Sequence, residues 1–249
     1  MKRLTGRVAL VTGAARRGSI GRAIARELAS EGAAVAVADF GRASEADELL
    51  AEMHKAGSRA LAFDADITDV AACERLIEDV EAAFGGLDIL VNNAGHSRHQ
   101  PLDDITAADF DEMIGLHLRG PFFLSRAAAR HMRKKAWGRI VNISSEQAYI
   151  GDPDLPHYTA AKGGLRTLTK SLALAMAPEI TVNTVCPGPT ATDRFKQGPE
   201  YTDEVLSKIP LRRWGQPLDV ARSVLFLVSS DGDAFTGQTL DPNCGTVMP

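Results

Sequence analysis

Tyr158 and Lys162, four residues apart, are the side chains in this sequence with the clearest capacity for proton transfer. They open a segment in which Leu165, Leu168, Leu172 and Met176 recur at three- and four-residue steps, the period of a helix with one buried face. On such a helix residues i and i+4 are neighbours, so phenol and ammonium lie one turn apart on the same side. A nearby positive charge favours phenolate over phenol, which predicts a tyrosine of lowered pKa that gives or takes a proton near neutral pH. The same pair is also the ordinary pattern of an amphipathic helix surface, so its meaning rests on the rest of the chain.

The elements that must position this pair alternate regularly. Val8–Val11 reads as a short buried strand, ending at Thr12-Gly13. Glycines at 13, 18 and 21 precede a helix that ends near Gly32, so backbone N–H groups and a helix N-terminus come together where a pyrophosphate fits. Ala34–Ala38 is a second strand closed by Asp39, an acid placed to accept hydrogen bonds from both ribose hydroxyls and to repel a 2′-phosphate. That favours NAD, whereas Arg16, Arg17 and Arg42 nearby pull towards NADP. Further strands are expected at Ala60–Phe63, Leu87–Val91, Arg139–Ile143, Ile180–Cys186 and around Thr239-Leu240. Helices are expected at about 44–56, 69–84, 107–135 with a break near Gly120-Pro121, and 217–229. Strands alternating with helices over short links predict an α/β fold, a doubly wound parallel sheet of about seven strands with helices on both faces. Asn92-Asn93-Ala94-Gly95 and Ser144-Ser145 fall at carboxyl ends of strands, where open sheets bind ligands. Pro187-Gly188-Pro189 ends another strand and opens a weakly periodic stretch, about 189–210, of the kind that forms a substrate loop.

Bulk properties exclude several classes. The 249 residues, 45% hydrophobic and 24% charged, suit one soluble globular domain over 1–249. A net charge of −4 argues against nucleic acid or an anionic membrane as partner. Cys73, Cys186 and Cys244 share no metal-like spacing and suit reduced, buried thiols, so neither a metal site nor disulfides are expected. No long apolar leader follows Met1, and no membrane-length apolar segment is present, so a cytoplasmic protein is expected.

With these pieces in order, nearly the whole chain resembles the short-chain dehydrogenase/reductase family. The residues that carry the likeness are Thr12-Gly13 with Gly18 and Gly21, Asp66-Ile67, Asn92-Asn93-Ala94-Gly95, Ser145, Tyr158 with Lys162, and Asn183 with Pro187-Gly188. Trp214-Gly215-Gln216-Pro217 and Thr236-Gly237-Gln238 add to it. The resemblance implies a Rossmann-like NAD(P)-binding domain and hydride transfer between the nicotinamide and a secondary alcohol or ketone. Tyr158 would be the acid–base, Ser145 would hold the substrate oxygen, and Lys162 would bond the nicotinamide ribose while lowering the tyrosine pKa. Gly13, Arg17, Gly18, Ser19, Ile20 and Gly21 would form the phosphate loop. Asp39 would hold the ribose, Asp66 and Ile67 the adenine, and Asn93, Ala94 and Gly95 the adenosine side. Pro187, Gly188, Thr190 and Thr192 would line the nicotinamide end. A homotetramer or homodimer with paired long helices is also implied.

The chain departs from the family pattern in three places. The phosphate loop is two residues longer than TGxxxGxG, and its Ser19-Ile20 step is similar to enoyl-thioester reductases, which keep a wider Tyr–Lys spacing. His117 stands where an asparagine usually completes a proton relay, and Asn243-Cys244-Gly245 replaces a C-terminal glycine pair. His117 is expected to take a partial relay role. His96, Arg98, Glu146, Gln147, Tyr149 and His157 are expected near the substrate entrance, a polar set that suits a small hydroxylated or carboxylated substrate. The alternatives are an NADPH-dependent 3-oxoacyl (acyl-carrier) ketoreductase and a cofactor-bound relative without turnover.

Overall fold

The computed structural model describes residues 2–249. Seven parallel strands form one sheet in the order β3-β2-β1-β4-β5-β6-β7. They are β1 (Val8–Thr12), β2 (Ala34–Asp39), β3 (Ala60–Asp64), β4 (Ile89–Asn92), β5 (Gly138–Ile143), β6 (Ile180–Val185) and β7 (Thr239–Leu240). The helices are α1 (Ile20–Ser30), α2 (Ala43–Lys55), α3 (Val70–Phe84), α4 (Ala107–Ile114), α5 (Gly120–Met132), α6 (Gln147–Ile150), α7 (Pro156–Met176), α8 (Asp203–Lys208) and α9 (Pro217–Val228). The chain reverses direction across the sheet between β1 and β4, which puts the ligand crevice at the carboxyl ends of those strands.

Strand alternation explains the two core layers. Ala9, Val11, Val35 and Val37 face one side and pack with Ile24, Leu28, Val224 and Leu225 of α1 and α9. Val8, Leu10, Ala36 and Ala38 face the other side and pack with Ile77, Leu124 and Leu172 of α3, α5 and α7. Both faces of the sheet are buried, which is why these strands read as unbroken apolar runs. None of the described helices is long and apolar enough to cross a membrane.

One expectation is corrected. The helical stretch 107–135 does not break at Gly120-Pro121; α4 runs into α5 through a π-helical turn, Gly115–Arg119. The extra residue of that turn shifts the hydrogen-bond register, so Pro121, which has no N–H, falls in the first turn of α5 at no loss. Gly120 serves close packing instead, since a Cβ there would lie 2.6 Å from the carbonyl oxygen of Ile67.

Beneath the crevice a buried polar chain ties three strand ends together. Asn92 Nδ2 donates to Asn142 Oδ1 (2.8 Å) and Ser125 Oγ (3.1 Å), and Asn142 Nδ2 donates to Thr169 Oγ1 (2.9 Å). Thr184 Oγ1 completes it with a bond to Thr169 Oγ1 at 2.9 Å. Breaking a fully buried network leaves unpaired groups at roughly 1–3 kcal/mol each. Asn142→Leu is therefore expected to lower unfolding stability by about 2–4 kcal/mol, measured by urea denaturation, while Asn142→Asp at neutral pH does no better.

Candidate active site

A cavity of about 940 Å³ opens at the carboxyl ends of the strands. At one end stand Asp39, Phe40, Asp66 and Ile67; the glycine loop is at the centre; Ser145, Tyr158 and Lys162 are at the other end. Gly18 (φ +61°) and Gly13 (φ +65°) take the left-handed conformation that glycine adopts without strain. A Cβ on Gly13 would lie 2.6 Å from Ala94 Cα, and one on Gly21 would lie 2.3 Å from the Gly13 carbonyl oxygen. The loop is thus pressed onto the start of α1, whose N-cap Ser19 accepts from Arg22 N at 3.1 Å. Backbone this close to a helix N-terminus fits a dinucleotide pyrophosphate.

Two acids that line the cavity come at the end of β2 and just after β3 in the chain. Asp39 Oδ2 accepts from Ala15 N (2.9 Å) and Oδ1 from Phe40 N (3.0 Å), which fixes the carboxylate at the cavity wall. Asp66 Oδ1 accepts from the backbone N and hydroxyl of Thr68 (2.9 and 2.8 Å), and Ile67 is buried beside it. Asn93 Nδ2 donates to the carbonyls of Thr12 and Gly13, so it braces the glycine loop. Arg17 lines the cavity, but α2 holds it, its guanidinium on Glu48 and its amide on Glu45. After β6, Thr190 Oγ1 donates to the Gly188 carbonyl (2.9 Å), and Thr192 Oγ1 accepts from Phe195 N (3.1 Å).

The side chains expected to transfer protons come from three elements. Ser145 follows β5, and its Oγ accepts from Gln147 N at 3.2 Å. Ser144 also lines the cavity, but its hydroxyl is used in a bond to the Lys162 carbonyl at 2.9 Å. Lys162 is 5% exposed; its Nζ donates to the Ile143 carbonyl at 2.6 Å and lies 5.7 Å from the centre of the Tyr158 ring. His117, in the π-helical turn, packs edge-on against Tyr158 with ring centres 5.1 Å apart. Its Nε2 bonds the His96 carbonyl at 2.8 Å, so Nε2 carries the proton and Nδ1 is a buried acceptor with no partner among the described residues. Burial, reinforced by the charge of Lys162, holds His117 well below its ordinary pKa and therefore neutral.

The structure corrects the expectation of an acidified tyrosine. Burial pushes Tyr158 up to about 12, with the Ser145 hydroxyl opposing it, and burial brings Lys162 down to about 8. Loss of water outweighs the attraction expected from spacing alone and shifts each group towards its neutral form.

Comparison with known proteins agrees with this geometry. A family profile described as enoyl-(acyl carrier protein) reductase matches residues 13–246. The 3-oxoacyl-[acyl-carrier-protein] reductase FabG of Staphylococcus aureus is 38% identical over 242 residues, 96% of this chain and 98% of that one. Its counterpart in Haemophilus influenzae is 39% identical over 250 residues, 98% of this chain and 100% of that one. A dehydrogenase/reductase from Sinorhizobium meliloti has a similar structure, with TM-score 0.92, 40% identity and coverage of 98% and 96%. A short chain dehydrogenase from Burkholderia cenocepacia in complex with NADP gives TM-score 0.91, 39% identity and coverage of 98% and 99%. The chain belongs to the short-chain dehydrogenase/reductase family.

As a short-chain dehydrogenase/reductase it is an NAD(P)-dependent oxidoreductase that interconverts hydroxyl and keto groups. Of the polar residues expected at the substrate entrance, His96 and Arg98 line the cavity, and Arg98 is held by Asp109 and Glu112. Glu146, Gln147, Tyr149 and His157 are not among its lining residues. Tyr149 turns to Asp241 (2.9 Å), and His157 is buried in α7. Sequence reading missed Phe40, an aromatic 64% exposed beside Asp39, although a large apolar residue after a strand-end acid is a visible signal. It also missed Arg194, which lines the cavity and donates to the Ser97 carbonyl at 2.8 Å across the cleft.

The lowered pKa of Lys162 makes a stability prediction. A buried lysine with a folded pKa of about 8 and an ordinary value of 10.5 binds fewer protons folded than unfolded between those values, so its burial penalises folding less as pH rises. Relative to Lys162→Met, the unfolding free energy of the native protein is expected to improve from pH 8 to pH 10, measured by chemical denaturation at each pH.

Proposed function

We propose that this oxidoreductase acts on a small polar secondary alcohol or ketone, uses NAD, and forms one catalytic unit over residues 1–249 with residues 189–210 as the substrate loop. The observation that carries the reading is the convergence of Ser145, Tyr158 and Lys162 on a cavity whose far wall presents the Asp39 carboxylate. Bound nicotinamide supplies or accepts the hydride. Tyr158 passes a proton to the carbonyl oxygen or takes it from the alcohol, and Ser145 holds that oxygen in line. Lys162 bonds the nicotinamide ribose, and its ammonium together with the cationic ring of the oxidised cofactor restores the acidity that burial removes from Tyr158. His117 stays neutral and accepts a hydrogen bond at Nδ1 on the proton path. Gly13, Arg17, Gly18, Ser19, Ile20 and Gly21 bear on the pyrophosphate, Asp66 and Ile67 on the adenine, and Asn93, Ala94 and Gly95 on the adenosine side. Pro187, Gly188, Thr190 and Thr192 receive the carboxamide. A homotetramer built on the long helices completes the proposal.

A second reading, reduction of a carrier-bound 3-oxoacyl group with NADPH, is favoured by the names of the FabG relatives and by the NADP in the Burkholderia structure. Asp39 supports NAD, because a carboxylate at the ribose repels a 2′-phosphate. Titration of both dinucleotides against a panel of polar alcohols, ketones and 3-oxoacyl thioesters separates the two. Tighter NAD binding is expected, with Asp39→Asn improving NADP relative to NAD by about tenfold; a native preference for NADPH with turnover of the thioesters selects the second reading.

Removing the acid–base group tests the mechanism itself. Tyr158→Phe is expected to lower kcat by about 10³-fold with little change in dinucleotide affinity. His117→Ala is expected to lose only about tenfold, and equal losses in the two variants contradict the roles given to them.

A further inference from the structure

Most of the basic side chains that line the cavity are tied to acids. Arg17 is held by Glu48, Arg42 by Glu45 and Asp39, and Arg98 by Asp109 and Glu112. His99 stands 3.7 Å from Glu200, and the Lys162 ammonium donates to the Ile143 carbonyl. Arg16 and Arg194 line the same cavity, and among the described residues neither forms a salt bridge. The cavity thus presents two guanidinium groups that the protein itself does not neutralise.

The two come from loops that touch. A Cβ on Gly18, two residues after Arg16, would run into the carboxylate of Asp193, the residue before Arg194. That carboxylate has Lys196 at 3.9 Å and forms no salt bridge with either arginine. Burial and the charge of Arg16 together hold Arg194 below its ordinary pKa, so the two like charges act on each other. A guanidinium stays ionised in a protein, so the repulsion is relieved by an anion and not by loss of a proton.

One bond places Arg194 on the Tyr158 side of the crevice. Its Nη2 donates to the Ser97 carbonyl at 2.8 Å, and Ser97 follows His96. The His96 ring centre is 6.4 Å from that of His117, which is 5.1 Å from that of Tyr158. The bond to Ser97 occupies one N–H and leaves the rest of the planar fork for a ligand, and that fork matches a carboxylate with two parallel hydrogen bonds. In the proposed function the pyrophosphate is met by the glycine loop and the start of α1, so the anion left for Arg194 belongs to the substrate. We propose that Arg194 is a specificity-determining residue that binds a carboxylate of the substrate, with Arg16 adding its charge from the facing loop. The inference rests on the proposed function and narrows it: the small polar substrate is an oxo acid, or the hydroxy acid that corresponds to it. A bare ketone or a neutral thioester offers this guanidinium no charge to bind.

The test is steady-state reduction of short oxo carboxylates, with methylenes between ketone and acid, and of their methyl esters. Each pair has the same ketone and differs in the charge that Arg194 meets. Native kcat/KM is expected to favour the acids at low salt, and Arg194→Met is expected to lower the acid-to-ester ratio by about thirtyfold, mainly through KM. Arg194→Lys keeps the charge without the planar fork and is expected to recover part of that loss. Arg16→Met leaves the Ser97 bond in place and is expected to lower the ratio by about threefold, an effect that fades at high salt. Equal losses for acid and ester in Arg194→Met make the guanidinium a strap across the cleft and overturn the inference. Weaker binding of NAD and NADH by calorimetry, with the ratio unchanged, assigns it to the pyrophosphate and overturns the inference as well. If Arg194→Met does not fold, a native protein that reduces esters as readily as acids at low salt overturns it instead. Should the native protein reduce neither acids nor esters with either dinucleotide, the proposed function falls first and takes this inference with it.

Discussion

Loss of water around two groups of opposite acid–base character is the constraint on which this site depends. Tyr158 and Lys162 are close, yet packing shifts each towards its neutral form, the phenol up to about 12 and the ammonium down to about 8, where it still carries its charge near neutral pH. A phenol of that pKa is a poor base near neutral pH. In the proposed mechanism the charge of the oxidised cofactor adds to the Lys162 ammonium against that desolvation, so acid–base competence and cofactor occupancy are linked. His117, edge-on to Tyr158, is held neutral by the same burial together with the charge of Lys162.

The scaffold keeps that arrangement in register through polar contacts below the crevice. Asn92, Asn142, Thr169 and Thr184 link the ends of β4, β5 and β6 to α7, the helix that bears Tyr158 and Lys162. Lys162 closes the same region from above by donating to Ile143 at the end of β5. These side chains are buried and bonded to one another, so the position of the phenol is set by several elements at once. The segment after β6 is organised differently, around stacked Tyr201 and Trp214 with Phe195 against them, an aromatic cluster separate from the two main layers.

The sheet and its order of elements were legible because buried parallel strands read as apolar runs and the glycines after β1 stand where backbones meet. The spacing of Ser145, Tyr158 and Lys162 likewise pointed to one cavity, since strand ends and a helix start converge there. What escaped the sequence depends on three-dimensional partners. Gly120-Pro121 looks like a break until the π turn before it is known. Glu146, Gln147, Tyr149 and His157 look like a substrate surface, but the C-terminal segment and α7 claim Glu146, Tyr149 and His157. Spacing placed the ammonium near the phenol correctly and still gave the wrong sign for the tyrosine shift, because spacing carries no information about desolvation.

The most direct measurement is the ultraviolet difference spectrum of tyrosine ionisation, recorded against pH with and without saturating oxidised cofactor, with Tyr158→Phe as the blank. The account predicts no Tyr158 ionisation below pH 10 in the protein alone, and an ionisation near neutral pH once oxidised cofactor is present. A Tyr158 that ionises near neutral pH without cofactor, or stays neutral to pH 10 with it, contradicts the account.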